Sequence, residues 1–171
     1  MNKRFFQISA LGILAFSLTV CPPKKQVKTE EPKLEETAQP PKPVEEPSLR
    51  GKDYKEVPEI STIYFDLDQA TLRSDARDTL SKNYQALKDH DDWEALVEGH
   101  CDERGTTEYN LGLGQKRAAA VRQYYISLGM SGSRVATISY GKESPACTDH
   151  TEDCWSKNRR GVTKVRAVAQ K

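Results

Sequence analysis

Apolar positions fall along this chain in three regimes. Residues 5–20 carry no charge, residues 22–59 scatter a few apolar side chains among Pro, Lys and Glu, and from residue 60 onward apolar positions recur at the periods of regular structure. In the third regime, residues 61–66 (Ser-Thr-Ile-Tyr-Phe-Asp) are β-branched and aromatic and predict a first strand. Ser74, followed by Asp75 and Ala76, predicts a helix start, with Leu80, Tyr84 and Leu87 at helical spacing to Lys88. Residues 93–99 alternate and are apolar enough for a second strand. From Tyr109 to Leu128, the positions Leu111, Gly114, Ala118, Val121, Tyr125 and Leu128 follow at steps of 3, 4, 3, 4 and 3, the clearest helix in the chain. Gly129 is placed to end it. Residues 134–140 predict a third strand, and residues 161–169, with Val162, Val165 and Val168 among charges, a last one. Strands alternating with helices predict an α/β (α+β) sandwich, a small mixed β-sheet with helices packed on one face.

The first two regimes set the organisation. Lys3 and Arg4 before the uncharged run make residues 1–20 read as an export signal, too short and wrongly flanked for a stable membrane span. Leu18-Thr19-Val20-Cys21 resembles the lipobox of bacterial lipoproteins, although Val20 stands where that family usually has Gly, Ala or Ser. The resemblance implies a diacylglycerol on the Cys21 thiol, cleavage before it and acylation of the new amine. The alternatives are an ordinary signal with an incidental Cys, or an uncleaved anchor. Eight of the nine prolines lie between residues 22 and 58. Such a composition cannot bury enough surface to offset its ordering entropy, so residues 21–59 read as a lipidated Cys followed by a disordered tether. From Pro22 onward the tether would span roughly 35 Å as a coil and at most about 115 Å extended. Residues 60–171 are left as one small domain with a single core. The net charge of +1 gives no electrostatic case for nucleic acid.

Four cysteines fit an oxidising compartment. Cys147 and Cys154 stand seven apart in a polar stretch that reads as a loop, and a short disulfide-closed loop is their simplest use. Two unrelated thiols, or a zinc site from Cys147, His150 and Cys154 with no obvious fourth ligand, are the alternatives. Cys101 reads as a buried small hydrophobe. His90, His100 and His150 share no metal or triad spacing and read as surface or turn residues.

Candidate chemistry gathers at Gly99-His-Cys-Asp-Glu-Arg-Gly105, five polar or reactive side chains between a strand end and the long helix. Ligands favour such edges in α/β folds. On the helix, Asn110, Leu113 and Arg117 lie at i, i+3 and i+7, a stripe beside the core stripe. Asp102 and Arg117 can then face one pocket, the first suited to an ammonium and the second to a carboxylate held bidentately. A zwitterionic amino-acid centre fits the pair. The alternative is a structural ion pair joining helix to turn.

Five motifs fall in order: Ile63-Tyr-Phe-Asp-Leu-Asp68, Glu98-Gly-His-Cys-Asp-Glu-Arg-Gly-Thr106, Glu108-Tyr-Asn-Leu-Gly-Leu-Gly-Gln-Lys-Arg-Ala-Ala-Ala-Val121, Ser139-Tyr-Gly-Lys-Glu143 and Lys157-Asn-Arg-Arg160. Together, over residues 60–168, they closely resemble the OmpA-like domain family, in its lipid-anchored Tol-system branch. The resemblance implies noncovalent binding of the peptidoglycan peptide stem at its diaminopimelate residue, with Asp102 and Arg117 as the key pair. Further pocket positions map to Asp68, Asn110, Leu113 and Arg160. Cys101 replaces the family's commoner small or hydroxyl residue, and Gly114 stands where members have Ser or Gly. Cys147 and Cys154 resemble a disulfide in the corresponding loop of some relatives. The resemblance also implies an outer-membrane lipoprotein whose domain faces the periplasm, joining membrane to wall and supporting envelope integrity and constriction at division. Tol-system proteins such as TolB are the implied protein partners. No enzymatic activity, metal or cofactor beyond the lipid on Cys21 is implied. Pro22, where this family's inner-membrane retention signal would place Asp, implies outer-membrane sorting.

Two rival functions are readable. Asp66-Leu67-Asp68 after an apolar strand resembles the first motif of haloacid-dehalogenase-like phosphatases, an Asp nucleophile with an acid/base two residues on. That family continues Gly-Thr, where this chain has Gln69-Ala70, and needs an acidic pair after a later strand, whereas Asp91-Asp92 precedes one. The other is a purely structural docking lipoprotein whose pocket is vestigial.

Overall fold

The apolar stripe of the long helix organises the architecture. The computed structural model describes residues 53–168; the export signal, Cys21 and most of the tether lie outside the described residues. The elements are β1 (Ile63–Tyr64), α1 (Ser74–Asp89), β2 (Trp93–His100), α2 (Thr107–Ser127), a 3-10 turn at Gly132–Arg134, β3 (Val135–Gly141), α3 (Glu152–Asn158) and β4 (Arg160–Ala167). The sheet runs β1-β4-β2-β3. β2 pairs parallel with β3, and β4 pairs antiparallel with both β1 and β2, so the predicted mixed sheet is present. A parallel pair needs a long crossover, and α2 supplies it.

Period-two alternation sends Ala95, Val97, Val135 and Val165 from the strands into one core with Leu80 and Leu87 of α1 and Val121 and Tyr125 of α2. All are buried, each Val or Leu side chain contributing about 1.5–3 kcal/mol relative to exposure. Two polar side chains that enter the core are satisfied. Tyr125 Oη lies 3.0 Å from Thr163 Oγ1, and Asn83 brackets the Ser61 backbone, accepting from its N–H at 2.9 Å and donating to its carbonyl at 2.7 Å. Close approach of α2 to β2 depends on two residues without side chains: a Cβ on Gly99 would stand 1.9 Å from the Gly114 carbonyl oxygen. Gly114 is thus held by packing.

Three expectations need correction. The six-residue first strand has only Ile63 and Tyr64 in register, against Gly161 and Arg160, because its partner begins at Arg160, where α3 has just ended. The polar stretch after Cys147, read as a loop, is one only as far as Thr151: its last two residues, Glu152 and Asp153, open α3, which Thr151 caps by accepting from Cys154 N–H. The predicted helix start at Ser74 holds, Ser74 being the first residue of α1. The domain also begins before Ile60: Lys55 exchanges two 2.9 Å backbone hydrogen bonds with Val165. Val165 pairs with Ala95, at the far end of β2 from the turn that follows His100. The chain thus enters the domain about 13 Å of strand away from Gly99.

Candidate functional site

The parallel β2–β3 pair and the α2 crossover leave a turn at the carboxyl end of β2, and the sequence there forms a cavity. Gly105, at φ 89, reverses the chain in a conformation that side chains rarely adopt, and Thr106 then caps α2 by accepting from Tyr109 N–H. Asn110, buried in the first turn of α2, donates to the carbonyls of Arg104 and Thr106, pinning turn to helix at 2.8 and 3.0 Å. The resulting cavity of about 270 Å³ is lined by Asp68, Cys101, Asp102, Arg104, Tyr109, Asn110, Leu113, Arg117 and Arg159, with Leu67 and Gly105 at its walls.

Asp102 is 5 % exposed, and its two oxygens accept four hydrogen bonds. The Arg104 amide and Nε donate to Oδ1 at 3.1 and 3.2 Å; Arg104 Nη2 and Arg159 Nη1 donate to Oδ2 at 2.6 and 3.3 Å. Burial alone would raise this carboxyl, but those donors outweigh it and hold it below the usual carboxylate range. Arg159 is itself buried and is also held by Glu152 at 2.7 Å and the Phe65 carbonyl at 3.2 Å. Arg104 is the looser partner, its side chain 34 % exposed and its guanidinium 4.2 Å from the Trp155 ring centre.

Arg117 is fully buried, and its guanidinium ties three segments together. It donates to the carbonyls of Gln69 (2.8 Å), His100 (2.8 Å) and Asp66 (3.1 Å), and to Cys101 Sγ at 3.4 Å. Of its five N–H groups, one on Nη2 has no partner among the described residues. Burial lowers its pKa, partly countered by Cys101 and Asp102. Cys101 is a free, buried thiol whose pKa burial raises.

Of the residues read from the sequence, Asp68, Asp102, Asn110, Leu113 and Arg117 come together around this cavity. Asp102 and Arg117 do so without bonding each other, so the alternative of an ion pair joining helix to turn does not hold; the ion partners of Asp102 are Arg104, in the same turn, and Arg159, at the end of α3. Arg117 lies on the buried face of α2 with Gly114 and Ala118, not on a stripe beside it. Arg160 does not line the cavity: its Nη2 donates to the Ser144 carbonyl, and its neighbour Arg159 fills the wall. Asp68 has φ 58 and accepts from the Tyr109 hydroxyl. Asp66 of the phosphatase-like pair is turned to Arg73 at 2.9 Å, outside the cavity. The sequence reading missed Arg104 and Arg159 as Asp102's partners, although both lie inside the motifs quoted.

Cys147 and Cys154 form a disulfide, Cα atoms 5.4 Å apart, so the zinc alternative falls. His150 is exposed, 2.5 Å from Glu103, which also accepts from Trp155 Nε1 at 2.8 Å. His100 is a correction. It is buried at the end of β2, stacked on Tyr140 with ring centres 5.3 Å apart and Nε2 3.4 Å from Glu98.

A mixed four-stranded sheet with a βαβ crossover and a charged cavity at the strand end define a small α/β domain. The OmpA family model matches residues 64–159, and the chain belongs to the OmpA family. It is 52 % identical over 108 residues to the peptidoglycan-associated lipoprotein of Brucella melitensis, and 43 % identical over 101 residues to that of Pseudomonas aeruginosa. Those matches cover 63 % and 59 % of this chain, and 64 % and 60 % of the two relatives. The crystal structure of the peptidoglycan-associated lipoprotein from Burkholderia pseudomallei superposes with a TM-score of 0.60 at 40 % identity, covering 61 % of this chain and 89 % of that one. The C-terminal domain of Helicobacter pylori MotB, 18 % identical over 64 % of this chain and 87 % of its own, shares the fold with the same TM-score.

Proposed function

We propose that this chain is a lipid-anchored envelope protein that binds the peptide stem of peptidoglycan without cleaving it. One observation carries the reading: a nearly buried, ionised aspartate and a buried arginine with one N–H in reserve share a cavity at the free end of the domain. That cavity is suited to a residue presenting an ammonium and a carboxylate on one centre, as the side chain of diaminopimelate does. The relatives' shared name, peptidoglycan-associated lipoprotein, supports the same ligand. In this reading Asp102 takes the ammonium. All four of its acceptor positions are filled, so part of the Arg104 contact must give way, and Arg104 is the exposed member that can move. Arg117 meets the carboxylate through its spare N–H, with Asn110 holding the turn and Asp68 and Leu113 on the wall. Arg159, in the cavity, replaces Arg160 in this set.

The rest of the assignment is a proposal on the same footing. Cys21 carries the lipid, and residues 22–52 serve as the tether to a domain in which Lys55 pairs at the end of β2 opposite the ligand cavity. Several acyl chains, at about 0.8 kcal/mol per buried methylene, anchor the protein permanently. Tol-system proteins such as TolB are the expected partners, with envelope integrity and outer-membrane constriction the expected roles. Cys21→Ser should leave the membrane fraction or remain unprocessed; unchanged fractionation and mass contradict the lipid assignment. For the site, calorimetry of wild type, Asp102→Ala and Arg117→Ala with meso-diaminopimelate is the test. Removing one partner of a buried charge contact costs about 2–5 kcal/mol, so each variant should lose roughly 30-fold or more. Folded variants that bind like wild type contradict it.

A further inference from the structure

A second cavity, of about 220 Å³, opens on the other side of the 102–105 turn. It shares Cys101 with the first, and its walls include Glu103, Lys142, Pro145, Trp155 and the Cys147 end of the disulfide. Neither cavity alone reaches the roughly 300 Å³ at which small-ligand pockets begin, whereas the two side by side do. Lys142 sits at the seam. Its ammonium donates to the Gly105 carbonyl at 2.7 Å, on the first cavity's wall, and to the Glu103 carbonyl at 3.4 Å, beside the second. It pairs with no carboxylate among the described residues, so it is a positive charge held only by two neutral acceptors. Glu103 is already engaged by His150 and Trp155; the remaining walls are the Pro145 ring, the Trp155 indole, the disulfide and Asn158, with Thr148 and the exposed Asp149 at the edge.

We propose that this second cavity is a subsite for the next residue of the bound peptide: a small, uncharged residue whose terminal carboxylate pairs with Lys142. This rests on the peptide-stem reading and extends it from one residue to two. The small side chain lies against Pro145 and the disulfide, and the peptide link crosses the turn where Lys142 bonds the Glu103 and Gly105 carbonyls. Ser139-Tyr-Gly-Lys-Glu143, a motif the first cavity does not use, thereby acquires a ligand contact through Lys142.

The test uses three probes on the full chain in detergent: meso-diaminopimelate, diaminopimelyl-alanine with a free carboxylate, and diaminopimelyl-alaninamide. Wild type should bind the free-carboxylate dipeptide about tenfold tighter than diaminopimelate, and the amide should show little of that gain. Lys142→Met should lose the gain, and Lys142→Arg should keep most of it. A merely structural role in pinning the turn would weaken all three probes alike in Lys142→Met and leave their ratio unchanged, which overturns the subsite. An equal gain from the amide, or no gain in wild type, also overturns it. Failure of diaminopimelate itself to bind wild type overturns the peptide-stem reading, and the subsite falls with it.

Discussion

Replacing Asp102 by Asn removes one charge from the turn while keeping its shape, and the structure sets the size of the effect. The carboxylate loses charge-assisted bonds from two arginines of unequal value. Arg104, about a third exposed, contributes at most about 1 kcal/mol, because solvent screens such pairs. Arg159 is buried, and a hydrogen bond to a charged group there is worth about 1.5–3 kcal/mol. Glu152 and the Phe65 carbonyl still hold Arg159, so the loss stays below the 3–5 kcal/mol of a stranded buried charge. The expected cost at neutral pH is about 2–3 kcal/mol, a fall in Tm on the order of 10–20 °C for a domain this size. The pH dependence has a fixed sign. Against the effect of burial, the arginine donors hold the folded carboxyl below its unfolded value, so its contribution is complete above about pH 4 to 5 and disappears as pH falls through the folded value. Urea unfolding of wild type and Asp102→Asn from pH 7 to pH 3 measures it, the gap being widest at neutral pH and closing in acid. A gap under about 0.5 kcal/mol, or one that does not change with pH, would refute the claim that Asp102 organises the turn as an ionised group.

Three further outcomes follow from separate parts of the fold. Gly99→Ala drives a Cβ into the Gly114 backbone carbonyl, so α2 must lift from β2; a loss of at least about 3 kcal/mol by chemical denaturation is expected, and a near-wild-type midpoint contradicts the contact. Replacing Cys147 and Cys154 together by Ser should cost about 2.5 kcal/mol for a loop this short, and should also weaken diaminopimelate binding, because α3 carries Glu152 and Trp155 against Arg159 and Arg104. Loss of stability with unchanged affinity would separate α3 from the site. His150 should titrate above the ordinary histidine value, because the Glu103 carboxylate raises it, and its contact with Glu103 should be present at low pH and lost as pH rises through that raised value; NMR titration should find the midpoint returning toward about 6.5 in Glu103→Gln.

The long helix was legible because Gly114, Ala118, Val121 and Tyr125 repeat over several turns, enough length for a period to stand out. The turn that carries Asp102 was legible for a chemical reason, since reactive side chains crowd between a strand end and a helix cap. α3 was not, because seven residues hold barely two turns; Thr151 followed by Glu152 and Asp153 was the available cap signal. The length of β1 depends on where β4 begins, a nonlocal fact absent from residues 61–66. Arg159 and Arg160 show the limit of motif matching. The motif brings both to the cavity's vicinity, but Arg159 ends α3 and Arg160 begins β4, so their side chains diverge and only that of Arg159 reaches the wall. His100 reads as a turn residue because the run of reactive side chains starts beside Gly99, whereas β2 continues one residue further with a shift in register there.

Sedimentation with purified sacculi tests the central claim most directly. Wild type, Asp102→Ala and Arg117→Ala are mixed with diaminopimelate-type sacculi, with circular dichroism as the folding control, and the wild type is also mixed with lysine-type sacculi, which lack the side-chain carboxylate. The account predicts that wild type pellets with the diaminopimelate wall, that free diaminopimelate competes it off, that both folded variants stay mainly in the supernatant, and that the lysine-type wall retains markedly less protein. Folded variants that pellet like wild type, or equal binding to both walls, would contradict it.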